Sequence, residues 1–210
     1  MYSSLLGIIT IRGNNSYLFD IIEEMSITCE DIIFHDPQNH LEYTEWDTLT
    51  EYFGQDFPIH SDPLDPSIYD PDWIISLYSD EAPGRRFRYM KDSLCANEYV
   101  NYWTGTARYL WDSIDQYRAD KLWGQFEYPF LWKYIPEIDY QWDNGILVPI
   151  NQPGPVEKSS IPIDSYRFLT EQSRLTRYFE FFQEKEKYNQ ITQTHYKSLL
   201  DEKPALRMIQ

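Results

Sequence analysis

Apolar residues fall into short unbroken runs in the first third of the chain. Residues 4–12 (SLLGIITIR) and 27–34 (ITCEDIIF) each read as a buried strand. Between them Leu18, Ile21, Ile22 and Met25 recur at helical spacing. That predicts a helix over about 16–26, capped by Asn14 or Asn15. After the turn residues Asp36-Pro37-Gln38-Asn39, Trp46, Leu49 and Phe53 hold the same spacing, with Gly54 as a stop. The opening order is therefore β-α-β-α.

Pro58, Pro63, Pro66 and Pro71 make residues 55–72 a linker or long ordered loop. The run 73–79 (WIISLYS) is apolar, and its type stays open. From Arg86 to Trp123, residues such as Phe87, Met90, Leu94, Trp103, Ala107 and Trp111 recur every three or four positions. This predicts two helices, or one kinked at Gly105. Residues 137–150 read as a hairpin turning at Asp143-Asn144-Gly145, and 151–163 as Pro-rich loop. Asp164 or Ser165 can cap a helix to about 188, and a last helix runs over 190–201. The expected fold class is α+β. A small acidic βαβα portion spans 1–80, and a helix-rich aromatic portion with one β-hairpin spans 81–210, with room for a shared core.

Composition changes the picture in one respect. The chain of 210 residues holds 34 acids against 18 bases, a formal charge of −16. Residues 1–80 hold 16 of the acids and a single base, Arg12. Residues 81–210 hold 18 acids and 17 bases, opening with Arg85, Arg86, Arg88 and Lys91. Such a balance disfavours a general nucleic-acid binder, which needs clustered bases on phosphates. It also disfavours docking on anionic membranes. No apolar run approaches the ~20 residues that span a bilayer. The N-terminal stretch lacks a basic region and a small-residue cleavage site, so no signal peptide is expected. Cys29 and Cys95 then read as reduced thiols in a cytoplasmic protein.

Catalytic signals are weak. His60 and Asp62 have the spacing of a facial-triad iron site, with His195 as a third ligand. His35 and His40 flank a turn at Asp36 and could hold zinc. Asp62, Asp65, Asp70 and Asp72 match a calcium loop in composition only. Cys95 has no histidine beside it. Phosphate-binding glycine loops, nucleophile elbows and dinucleotide fingerprints do not occur. No cofactor or metal is therefore expected. Five of the seven tryptophans lie between Trp103 and Trp142. They suit a large aromatic core, while the stretch from Phe126 to Tyr134 also suits a subunit contact.

The resulting expectation is a non-enzymatic protein-binding module, an acidic antagonist or immunity-type inhibitor that blocks a basic protein surface such as that of a nuclease. Its face would comprise Glu23, Glu24, Glu30, Asp31, Glu42, Tyr43, Glu45, Trp46, Asp47 and Glu51, with aromatic anchors inside a charged rim. The alternative is a structural subunit of a larger assembly, such as a viral particle, which leaves self-association open. A third reading is a metal enzyme using His60, Asp62 and His195.

Overall fold

A computed structural model describes residues 3–12, 15–54, 57–60, 65–120, 123–124, 126–143, 146–151, 154–201 and 203–209. The first elements in chain order are β1 (Leu5–Thr10), α1 (Leu18–Ser26), β2 (Asp31–His35), α2 (Tyr43–Phe53), β3 (Ile59–His60), β4 (Trp73–Tyr78), β5 (Glu81–Pro83) and α3 (Phe87–Cys95). There follow β6 (Tyr102–Trp111), β7 (Ser113–Arg118), β8 (Glu127–Lys133), β9 (Tyr140–Asp143), β10 (Ile146–Pro149), β11 (Val156–Lys158) and β12 (Ile163–Ser165). The chain ends with α4 (Glu171–Glu184), α5 (Gln190–Lys197) and β13 (Leu206–Met208). The protein is mixed α and β. Among the described residues no helix is long and apolar enough to cross a membrane.

The chain divides into two compact units, Met1–Gly105 with Tyr128–Pro162, and Thr106–Glu127 with Ile163–Gln210. In the first unit β1 is the central strand, and all six of its residues are buried. It pairs in parallel with β2 on one side and β4 on the other. Beyond β2 lies β3, also parallel, and beyond β4 lies β8, antiparallel.

Both faces of β1 are covered. On one face Gly7 lies under α1, where an added Cβ would stand 2.9 Å from Met25 Cε and 3.1 Å from Cys29 Sγ. The missing side chain lets the helix sink Leu18, Ile21, Ile22 and Met25 onto the sheet. On the other face Leu6, Ile8, Ile33 and Ile74 pack with Trp132 of β8 and with Ile146, Leu147 and Val148 of β10. Strand β10 pairs antiparallel with β9; Asn144 and Gly145 between them lie outside the described residues. Tyr69, from the 3-10 turn Pro66–Tyr69, covers the same face.

In the second unit β7 folds back antiparallel on the end of β6, with a bulge at Leu110/Trp111. Strand β12 runs parallel to β6, and β13 antiparallel to β7. Its core joins Trp111, Trp123, Phe168 and Leu199. Arg118 is fully buried there. It pairs with Asp120 and Asp201, donates to the Ser198 carbonyl and lies against the rings of Trp111 and Trp123.

Several expectations are corrected. The helical reading of 86–123 holds only for α3, because residues 102–111 and 113–118 are strands. Asp164 and Ser165 lie in β12, and Thr170 caps α4 instead. Residues 55–72 and 151–163 contain β3, a 3-10 turn and β11. The N-cap of α1 is Tyr17, with no side-chain cap bond. Phe130, Leu131 and Trp132 are completely buried, so this part of the aromatic stretch is core. The charge boundary at residue 80 falls inside the first unit.

Gly7→Val should cost about 1–3 kcal/mol through overpacking beneath α1. Urea unfolding of the variant measures it. Wild-type stability would show that α1 does not rest on Gly7.

Candidate functional site

The parallel strands stand in the order β4-β1-β2-β3. The chain steps outward from β1 to β2 and β3, then returns past β1 to β4. Right-handed crossovers place the outward and returning connections on opposite faces. The returning connection leaves β3 and enters β4 at its amino end, while the segment that leaves β4 continues into β5, which contacts α1. Ligands of open α/β sheets bind outside the carboxyl ends of the strands.

Register brings a row of side chains to the same edge. Thr10 pairs with His35 and Tyr78, and His35 pairs with His60. All four share the face that carries Ile8 and Ile33, because alternate strand residues share a face. Trp142 stacks on His35 with ring centroids 3.5 Å apart. His60 Nε2 lies 3.4 Å from the Tyr69 hydroxyl. Several buried polar atoms here have no hydrogen-bond partner: Thr10 Oγ1, His35 Nδ1, Ser76 Oγ, Trp132 Nε1 and Trp142 Nε1. An unpaired buried polar atom costs about 1–3 kcal/mol, and a concentration of them asks for a functional explanation. Burial holds His35 below its ordinary pKa; the Asp36 charge opposes this and His60 adds to it. Its imidazole is therefore neutral near pH 7.

One layer outward, Arg12 follows β1. Its guanidinium carbon lies 3.1 Å from the centroid of the Tyr78 ring. It donates from Nε and NH2 to Asp80 Oδ1, at 3.0 and 2.7 Å, and from NH2 to Glu81 Oε1 at 3.2 Å. Both carboxylates are buried and follow β4 directly. Arg12 N also donates to Ser79 Oγ, tying the two strand ends together. Asp36, just past β2, accepts from His40 N and Leu41 N and so shapes the loop into α2.

The acidic residues read from the sequence do not form one patch. A crossover helix runs opposite to its parallel strands, so the end of α1 and the start of β2 share the amino edge. Glu23, Glu24, Glu30 and Asp31 fall there. Glu30 is engaged by Lys91 at 2.8 Å and by Leu5 N. Glu42 and Glu45 lie at the start of α2, on the carboxyl side, where Glu45 accepts from Glu42 N. Asp47 and Glu51 are exposed farther along α2. Trp46 packs edge-on against Phe34 and is part of the core around β2. Tyr43 opens α2, and its side chain lies outside the described residues.

The metal constellations fare no better. His60 lies on β3, Asp62 is outside the described residues, and His195 belongs to α5 of the second unit. Among the described residues no three His, Cys, Asp or Glu side chains are placed to hold a metal ion. Burial pushes the Cys29 and Cys95 thiols up to about 12, which keeps both protonated near pH 7. Thr10, Arg12, Ser76, Tyr78, Asp80 and Glu81 form no recognisable motif in the sequence. Their signal was available: two apolar runs, 4–12 and 73–79, each give way to polar residues where a parallel strand would end. No protein-family model matches the chain, and no curated protein sequence matches it.

Arg12→Leu should lower stability by about 2–4 kcal/mol, because it removes the guanidinium from two buried carboxylates. Adding Asp80→Asn and Glu81→Gln should restore most of that loss in urea unfolding. An equal loss in the triple variant would mean that the ion pair is not its source.

Proposed function

We propose that the protein is a nucleotide-dependent group-transfer enzyme that binds its substrate at the carboxyl edge of the first unit, between β1 and β4. The supporting observation is the polar row Thr10, His35, His60 and Tyr78, brought together at the carboxyl ends of four adjacent parallel strands. The stacked pair His35 and Trp142 offers the planar surroundings that a heterocycle uses.

Electrostatics constrain how a phosphate could sit there. The first unit holds 23 acids and seven bases, so its field repels a bare phosphate. No glycine-rich loop follows β1 to supply backbone donors. Asp80 and Glu81 would be the residues to hold a divalent cation, which would supply the positive charge a diphosphate needs there. Magnesium is commonly held by one or two carboxylates together with substrate phosphates. These two carboxylates already converge on one guanidinium. The cation would stabilise charge developing on a departing diphosphate. Neutral His35 is suited to accept a proton from an acceptor hydroxyl.

Thermal shift and calorimetry with ADP, GDP and UDP, each with Mg2+ or Mn2+, test this reading. One nucleotide should stabilise the protein in a metal-dependent way. His60→Ala, at a half-buried position, should weaken that binding about tenfold, equivalent to roughly 1.4 kcal/mol. No stabilisation by any combination would remove the proposal.

A second reading rests on a separate observation. The second unit holds 11 acids and 11 bases, so the whole charge of −16 resides in the first. Glu23, Glu42, Glu45, Asp47 and Glu51 are exposed on it. This supports the acidic antagonist that captures a basic protein partner. Replacing Glu42, Glu45 and Glu51 with lysine should then weaken capture of that partner at low salt. Unchanged capture would exclude α2 as the binding face.

A further inference from the structure

Helices α1 and α2 both belong to outward crossovers and lie on the same face of the sheet. A cleft of about 240 Å³ opens between them. Its floor is made by Leu18 and Leu49, both buried, with half-buried Leu41 at one end. One wall is Phe19, which meets Tyr52 edge-on at 5.3 Å and stacks on Phe53 at 6.1 Å. Phe19 is 37% exposed and Tyr52 67%. Glu45, Thr48, Leu49 and Tyr52 follow one another at helical spacing and form one stripe of α2. Glu45 supplies the formal charge of the lining. On α1, Glu23 shares the face of Phe19 one turn farther on, about 6 Å along the axis. The two helices together carry six acids and no base.

We propose that this cleft seats one large apolar side chain of a basic amphipathic helix in a protein partner, whose cations reach Glu45 at one end and Glu23 at the other. The proposal rests on the acidic-antagonist reading and adds the apolar anchor that a contact made by charge alone lacks. Charge complementarity selects the partner: six acids with no base on two neighbouring helices attract a cationic surface and repel an acidic one. Size selects the anchor. An apolar cavity of roughly 150 Å³ accommodates benzene, so 240 Å³ takes one leucine- or phenylalanine-sized group. An apolar pocket inside a charged rim is the arrangement in which one buried side chain dominates binding, and helices dock in such grooves through their apolar face. Trp46 cannot serve as that anchor, because it is committed to the core around β2. Glu45 accepts from Glu42 N through Oε2 at 3.0 Å. A carboxylate has about four acceptor positions, so the helix cap and an incoming cation are compatible.

The probe is a fluorescein-labelled helical peptide of roughly 15 residues, built from lysine and alanine with one central leucine. Its comparison carries alanine in place of that leucine. The two have the same charge and close helix propensities, so a difference between them reports burial of the one side chain. Fluorescence anisotropy with the full chain at low salt should show the leucine peptide binding about tenfold or more tightly. Thr48 is an exposed position on the lining. Thr48→Trp should fold normally, fill the cleft and bring the leucine peptide down to the affinity of the alanine peptide. Glu23→Gln combined with Glu45→Gln should weaken both peptides alike, since glutamine keeps the capping role of residue 45. Equal affinity of the two peptides for the wild-type chain, or unaltered leucine-peptide affinity in Thr48→Trp, overturns the cleft and leaves the acidic-antagonist reading standing. Unaltered binding in the double glutamine variant, or no binding of either peptide at low salt, overturns that reading and the proposal with it. A chain that sediments as a dimer and becomes monomeric in Thr48→Trp would assign the cleft to a second copy and overturn the proposal too.

Discussion

The burial of β1 on both faces is the constraint on which the first unit depends. A strand with no solvent-facing side must be roofed twice. Gly7 meets one half of that demand by admitting α1 close to the backbone. Tyr69 and β10 meet the other half. Interior positions of such a strand are apolar, since unpaired polar groups there are costly. Polar chemistry is accordingly displaced to its end, where Thr10 and Arg12 stand. Strands β2 and β4 repeat the pattern with His35-Asp36 and with Tyr78 through Glu81. The polar edge is thus a consequence of how the apolar sheet is covered.

The two units handle charge differently. In the first, acids outnumber bases more than three to one, and the only base among residues 1–80 is committed to Asp80 and Glu81. In the second, formal charges balance, and arginine is used in the interior. Arg118 joins Asp120, Asp201 and the Ser198 carbonyl beneath two tryptophan rings. Arg174 joins Asp112 and the carbonyls of Phe168 and Leu169. Such sites need a planar fork of donors that also stacks, which lysine cannot supply.

The parallel strands were legible because unbroken apolar runs report burial on two faces. The region after Arg86 misled for a definable reason. Trp103, Ala107 and Trp111 are four residues apart, and a spacing of four keeps one face in a strand as well as in a helix. The intervening Thr104, Thr106 and Tyr109 carry the β-forming character that decides the matter. Asp164 resembled a helix cap in sequence, but it pairs with Arg108, 56 positions earlier. The edge site escaped for a similar reason. Its members lie on four strands, with Arg12 and Asp80 68 residues apart, and only the register brings them into a row.

The pairing of Arg12 with Asp80 and Glu81 bears on stability and ligand binding together. Two buried carboxylates side by side would repel one another and favour opening of the β1–β4 edge. The guanidinium supplies the missing countercharge and covers the Tyr78 ring at the same time. In the nucleotide reading a divalent cation competes for those same oxygens, so its binding must release Arg12. The freed guanidinium would remain beside the ligand's phosphates, where a planar fork of donors is most useful. In that reading one residue would serve both to hold the edge closed and to grip the substrate. That exchange needs no hinge in the sheet, because a long side chain at a strand end can make it alone.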